Sequence, residues 1–254
     1  MSVFQPSTHN ILLQTMSAED YGRLEPHLIR IPLPVKLQLH VASDTIEYVY
    51  FPEDGVISIV ATALDGTSCE IGLFGREGMS ETATVLGTDR SPHEAYVQVA
   101  GISGLRLPVD VLNEALRDSP TLRGHLLHYV QAMMIQLSSS IAAGGQTIEK
   151  RLARWLLMCN DRIDGDQIGL THDFIAMMLS VRRPGVTEAL DRLKNRHLIL
   201  KRRGIIVIAD RAGLKRLAGG SYGLAEREYH RLLGQPLERT GIKYERDSGP
   251  RDER

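Results

Sequence analysis

The sequence predicts an α+β fold, in which an N-terminal antiparallel β-roll is joined by one long helix to a C-terminal domain of short helices and a β-hairpin. Three observations support this prediction. Short β-rich segments separated by turn signals fill residues 31–107, a continuous helical pattern covers residues 121–143, and short helical segments with a β-hairpin occupy residues 147–218.

Composition excludes several classes of protein. The chain has 254 residues, of which 43% are apolar, so it can bury a substantial core. No apolar run reaches the roughly 18 residues that a membrane span needs, and the N-terminus lacks the basic and apolar regions of a signal peptide. Cys69 and Cys159 are the only cysteines, which excludes a disulfide framework and any four-cysteine zinc or iron–sulfur site. We therefore expect a soluble cytoplasmic protein without a metal or cofactor.

The charge is divided unevenly between the two halves of the chain. Residues 1–145 hold 8 basic and 16 acidic side chains, a net charge of −8, whereas residues 146–254 hold 22 and 15, a net of +7. Net charges of opposite sign in the two halves suggest two modules with different partners. The basic half is the candidate for binding a polyanion. Chance fluctuation of charge is the alternative at this point.

The N-terminal half begins with a helix signal and continues as short strands. Ser17 followed by Asp20 is typical of a helix start. Strands are predicted at residues 47–51, 56–63, 69–73, 95–99 and 104–107. Asp54-Gly55 and Asp65-Gly66 fit tight turns between strands, because glycine accepts positive φ. Short antiparallel strands at this spacing predict a β-roll or jelly roll.

A helix over residues 109–118 is followed, after Ser119-Pro120, by the long helix over residues 121–143. One apolar stripe of the long helix comprises Leu122, Leu126, Tyr129 and Met133, and the other comprises Leu127, Val130, Met134, Leu137 and Ile141. Two apolar faces indicate that the helix covers its own β-roll with one and a partner helix with the other. The second stripe is therefore the predicted dimerisation seam; a helix buried within one domain is the alternative.

Gly144-Gly145 ends the long helix and marks a domain boundary. The predicted organisation is a β-roll with flanking helices at residues 1–118, the dimerisation helix and hinge at 119–145, a C-terminal domain at 146–234 that holds the motif described next, and a disordered tail at 235–254.

The strongest motif lies at residues 170–193. Thr171 caps a short helix, Ser180-Val181 makes a turn, and a second helix presents apolar residues at spacings of 4 and 3. This pattern predicts a helix-turn-helix, and the following hairpin with Arg202-Arg203-Gly204 at its tip predicts a basic wing. A helical hairpin with a solvated basic face is the alternative. The predicted DNA contacts are Thr171, His172, Arg182, Arg183, Thr187, Glu188, Arg192, Arg202 and Arg203.

These features together resemble the Crp–Fnr transcription regulators over the chain up to about residue 234. The matching segments are Y-V-Y-F-P-E-D-G-V-I-S at 48–58, G-R-E-G-M at 75–79, E-K-R-L-A-R-W-L-L at 149–157 and the helix-turn-helix. The resemblance implies a β-roll like those that bind cyclic nucleotides, a homodimer formed by the long helix, and a winged helix-turn-helix. It implies sequence-specific binding of double-stranded DNA, RNA polymerase as a further partner, and no catalysed reaction.

The chain departs from the family where cyclic nucleotides bind. The resemblance places the ligand-binding positions at Arg76, Glu77, His93 and Glu94, with Arg90 nearby. Relatives that bind the nucleotide have an Arg-Ser or Arg-Thr pair where this chain has His93-Glu94, and a carboxylate there repels a phosphate. We therefore expect no tight binding of cyclic AMP. We also expect Glu77 to neutralise Arg76 if Arg76 points inward.

The sequence leaves one alternative class of function open and disfavours another. A nucleotide- or ligand-sensing signalling module whose C-terminal domain binds protein is the alternative to a DNA-binding regulator. A β-roll enzyme is disfavoured because no strand carries an H-x-H metal pair and no P-loop, G-x-S-x-G or H-E-x-x-H motif occurs. His125 and His128 lie three residues apart on the long helix, but no carboxylate is placed to complete a metal site.

Overall fold

A computed structural model describes residues 7–237 and confirms the predicted α+β architecture. Most of the predicted tail, from residue 238 onward, lies outside the described residues. Across the described part of the chain, no helix is both long and apolar enough to cross a membrane.

The β-roll consists of two antiparallel sheets. One sheet has the strand order β1-β7-β3 and the other β2-β6-β4-β5. The strands are β1 (Ile29–Leu33), β2 (Gln38–His40), β3 (Tyr48–Pro52), β4 (Val56–Thr62), β5 (Ser68–Phe74), β6 (Glu94–Val99) and β7 (Gly101–Pro108). Gly55 has φ +88°, and a Cβ there would lie 2.7 Å from Val99 O, so both the turn and the close packing require glycine.

Two helices precede the strands of the β-roll, one lies between β5 and β6, and two follow β7. They are α1 (Ile11–Gln14), α2 (Ala18–Leu24), α3 (Thr82–Val85), α4 (Val109–Asp118) and α5 (Pro120–Ala143). Ser17 caps α2 and Ser119 caps α5, each by accepting a backbone N–H, as helix starts require. The same Ser119 hydroxyl donates to Asp20 at 2.5 Å, which joins the two helix starts.

The C-terminal elements form a winged helix-turn-helix domain. They are α6 (Ile148–Asn160), β8 (Gln167–Gly169), α7 (His172–Met178), α8 (Arg183–Asn195), β9 (Ile199–Arg202), β10 (Ile205–Ile208), α9 (Arg211–Ala218) and α10 (Leu224–Leu233). The wing sheet has the order β8-β10-β9.

Two apolar cores extend across the predicted boundary at residue 145. Val56, Leu73 and Val99 of the β-roll are buried with the helix-turn-helix core. In the other direction, Tyr229 and Leu233 of α10 are buried with the β-roll core. The sequence predicted no helix after residue 218 and placed residues up to 234 in the C-terminal domain, whereas in the structure α10 forms and packs against α5. The two domains therefore share a continuous packed contact.

Candidate nucleic-acid interface

The helix-turn-helix is assembled from α7 and α8 around a small shared core. Thr171 caps α7, because its side chain accepts the Phe174 N–H. Ser180 adopts a left-handed conformation in the turn, with φ +48°. The buried face of α8 comprises Val186, Ala189, Leu190 and Leu193. The inner faces of α7 and α8 are thus buried in the core, and the opposite face of α8 is exposed to solvent.

The exposed start of α8 carries the basic residues that were predicted to contact DNA. Arg182 and Arg183 are exposed, and Arg183 Nε lies 3.1 Å from Asp173 Oδ1 in an ion pair that is largely solvated. His172 Nδ1 and Thr187 Oγ1 are 3.2 Å apart, which links the starts of α7 and α8. These contacts orient the first turn of α8 without burying its charge.

Arg192 differs from the other predicted contacts because it already has two carboxylate partners. It pairs with Glu149 on α6 and with Glu188 one turn earlier on α8, the latter at 3.1 Å. Its side chain thus ties α8 to α6. The start of α8 is therefore the more available basic surface.

The wing extends from the recognition domain as a short hairpin. Arg202 and Arg203 are exposed, and Gly204 completes the turn with φ +70°. Lys201 on β9 pairs with Asp191 on α8 at 2.7 Å, and this contact holds the Asp191 pKa below its usual value. The ion pair therefore connects the hairpin to α8, while the Arg202 and Arg203 side chains at its tip are exposed to solvent.

The residues of the predicted dimerisation seam on α5 fall into two groups, one exposed to solvent and one packed against the β-roll. Leu127, Met134 and Ile141 are exposed by 41%, 59% and 80%. Val130 is buried and Leu137 packs against the β-roll, where a Cβ on Gly72 would clash with it. Val130 therefore packs within its own protomer and Leu137 does so in part, which leaves Leu127, Met134 and Ile141 as the exposed members of the predicted seam.

Arg76 and Glu77 lie at the contact between the two domains. Arg76 donates to Asp164 Oδ1 at 2.9 Å, and its Nη2 lies 3.5 Å from Asp54. Glu77 is paired with Arg162 at 2.7 Å. The expected neutralisation of Arg76 by Glu77 was wrong, because side chains distant in sequence supply both partners.

The other predicted ligand residues lie around the loop before β6. Arg90 is exposed and donates to Ser43 O at 3.3 Å, while Glu94 accepts from Gln38 at 3.4 Å. Burial lowers the pKa of His93, which favours the neutral imidazole. The structure therefore brings none of these three into contact with Arg76 or Glu77.

Sequence reasoning missed a second polar contact between the domains. Trp155 Nε1 on α6 donates to Glu70 Oε1 on β5 at 2.9 Å, and Ser58 Oγ donates to the other carboxylate oxygen at 2.5 Å. Burial raises the pKa of Glu70 to about 7. A lone tryptophan in an apolar helix was the only signal for this contact, and it did not identify a partner.

Comparison with known proteins identifies the C-terminal domain and the fold. Residues 150–217 match the family model of the Crp-like helix-turn-helix domain. No curated protein sequence matches the chain.

Solved structures of low sequence identity share the fold over most of the chain. FixK2 from Bradyrhizobium japonicum is 16% identical, with a TM-score of 0.64 over 76% of this chain and 98% of that one. The c-di-GMP-responsive regulator CLP from Xanthomonas campestris is 16% identical, with a TM-score of 0.60 over 76% and 99%. A CRP-family regulator from Thermus thermophilus is 19% identical, with a TM-score of 0.60 over 76% and 97%.

Residues 150–217 therefore form a Crp-like helix-turn-helix domain. The chain as a whole shares the fold of these solved structures.

Proposed function

We propose that the protein binds double-stranded DNA as a homodimer, with the start of α8 in the major groove and the wing on the phosphate backbone. The observation that carries the proposal is the division of α8 into a buried apolar face and an exposed face that begins with Arg182 and Arg183. An arginine at the start of such a helix can contact a guanine edge bidentately.

The homodimer follows from the unpartnered face of α5. Leu127, Met134 and Ile141 recur at intervals of seven residues and remain exposed on a 24-residue helix. A heptad spacing of apolar residues favours pairing with a second helix. A two-fold axis along this face would present two recognition helices to DNA, which requires a separation of roughly 34 Å.

Selection of bound fragments from random duplexes, followed by salt titration, tests the proposal. The affinity for the selected duplex should fall steeply as salt rises, because phosphate contacts release counterions. Affinity that is insensitive to salt, or failure to enrich any sequence, would instead favour a signalling module whose C-terminal domain binds protein.

Two variants separate base reading from phosphate contact. Arg183→Ala should lose discrimination at one base pair, at a cost of about 1–3 kcal/mol. Arg203→Ala should weaken binding to all sequences alike, because a phosphate contact carries no base information. An unchanged preferred sequence and affinity in Arg183→Ala would show that α8 is not the recognition helix.

A further inference from the structure

A cleft lies between the β-roll and the helix-turn-helix domain. It has a volume of about 130 Å³ and is bounded by β5, the end of α5, α6, and the turn after α7. Glu70, Ser140, Arg151, Arg154 and Trp155 line it. Any molecule held in this cleft would touch both domains.

Arg154 is a buried cation without a paired carboxylate. The residue is only 7% exposed, and its Nε donates to Ser221 O at 2.9 Å. No other hydrogen bond and no ion pair joins it to the described residues, 7–237. Burial lowers the pKa of its guanidinium group, although the Glu226 and Glu70 carboxylates oppose that shift.

Arg151, one turn earlier on α6, brings a second cation to the same cleft. Its Nη2 donates to Leu179 O at the end of α7, and within residues 7–237 it has no ion pair. Burial lowers the pKa of this guanidinium group as well. Two partly desolvated arginines therefore line one small cavity, and neither forms an ion pair within residues 7–237.

Glu70 brings a carboxyl group to the lining of the cleft, but that group is engaged elsewhere. Its two oxygens accept hydrogen bonds from Ser58 and Trp155. The other ionisable groups around it are Tyr96, Arg154, Cys159 and Arg162. Burial raises the pKa of Glu70 to about 7, so at neutral pH it neutralises the arginines only in part.

We propose that this cleft is a binding site for a small tetrahedral oxyanion, such as a phosphate group, held by Arg151 and Arg154 between the two domains. Guanidinium groups match phosphate geometry and form strong, charge-assisted hydrogen bonds with it. The volume suits one phosphate group and is below the roughly 300 Å³ at which pockets for larger ligands begin. The bound anion would couple the sensor domain to the DNA-binding domain, which goes beyond the function proposed above.

Trp155 provides a direct test, because it is the only tryptophan of the chain and it lines the cleft. Its fluorescence is recorded while inorganic phosphate, and separately sulfate, replaces chloride at constant ionic strength. The expected result is a saturable change with half-saturation in the millimolar range or below. Glycerol 3-phosphate then shows whether a phosphate monoester enters as well as the free ion.

The variants assign the signal to the two arginines. Arg151→Gln and Arg154→Gln should each raise the half-saturating concentration at least tenfold, whereas Arg117→Gln, an exposed arginine on α4, should leave it unchanged. If Arg154→Gln does not fold, Arg154→Lys, which keeps the charge but loses the planar fork, should still weaken binding. A change that does not saturate, that chloride reproduces, or that persists in Arg151→Gln overturns the proposal.

Discussion

Arg162 and Glu77 form an ion pair that joins the two domains, with side chains exposed by only 0% and 2%. Arg162 Nε donates to Glu77 Oε1 at 2.7 Å, and Nη1 donates to Met158 O. Tyr229 of α10 donates to the backbone oxygen of Glu77 at 2.7 Å. The pair thus lies where the β-roll, α6 and α10 meet, and it fixes the position of the DNA-binding domain.

Removing one partner of this pair should destabilise the protein strongly. Glu77→Gln removes the carboxylate that is hydrogen-bonded to the buried Arg162 guanidinium, which costs about 3–5 kcal/mol. We expect a fall in Tm of about 10 °C by calorimetry. Asp164→Asn provides the control, because its carboxylate is largely exposed, and it should shift Tm by at most about 2 °C. Equal shifts in the two variants would contradict this role of the pair.

Glu70 should make stability depend on pH. Its pKa is raised to about 7 in the fold from an ordinary value of 4.5, so the folded state favours the protonated form. The stability from this group is complete below about pH 4.5 and is lost as pH rises to about 7. Relative to the wild type, Glu70→Gln should therefore gain up to about 3 kcal/mol in the free energy of unfolding as pH rises from about 5 to 8. The gain is measured as a higher Tm.

A difference in Tm that stays constant from pH 5 to 8 would show that Glu70 does not titrate in this range. Glu94→Gln serves as a control. It removes a carboxylate from β6 whose hydrogen bond to Gln38 is exposed, and it should change Tm by at most about 2 °C.

Gly78 should not tolerate a side chain. A Cβ there would lie 2.2 Å from the hydroxyl oxygen of Tyr129, which is buried and donates to Met79 O. Gly78→Ala should lower stability by about 1–3 kcal/mol in denaturant titrations, because the ring has no room to retreat. Gly22→Ala, on α2 with open space around it, should instead be neutral or stabilising.

The exposed face of α5 predicts the state of assembly. Met134→Glu would place like charges against each other in an apolar seam, and sedimentation should then show a monomer. Leu64→Glu, at the fully exposed tip between β4 and β5, should remain dimeric. A wild-type chain that sediments as a monomer at micromolar concentration would refute the seam.

Cyclic AMP should not bind tightly. The cyclic phosphate needs a facing cation, whereas Arg76 is paired with Asp164 and His93 is held neutral by burial. Calorimetry should detect no heat of binding at low micromolar cyclic AMP or cyclic GMP. A low micromolar Kd accompanied by stronger DNA binding would point to Arg90 as the phosphate ligand.

Local periodicity and turn chemistry determined much of this protein from sequence alone. The caps at Ser17 and Thr171, the turn at Asp65-Gly66 and the long helix all depend on interactions over a few residues, and each is present in the structure. Strand β1 was missed because Pro32 interrupts the strand pattern, which an edge strand tolerates.

Tertiary structure decided which groups meet across long distances in the chain. Val130 and Leu137 fit an intermolecular seam by spacing, but packing against the β-roll buries Val130 and covers part of Leu137 within one protomer. The pairing of Glu77 with Arg162, 85 residues apart, has no local signature, because it depends on how the domains dock. Spacing along a helix sets which residues share a face, whereas only the packed neighbours decide what that face contacts.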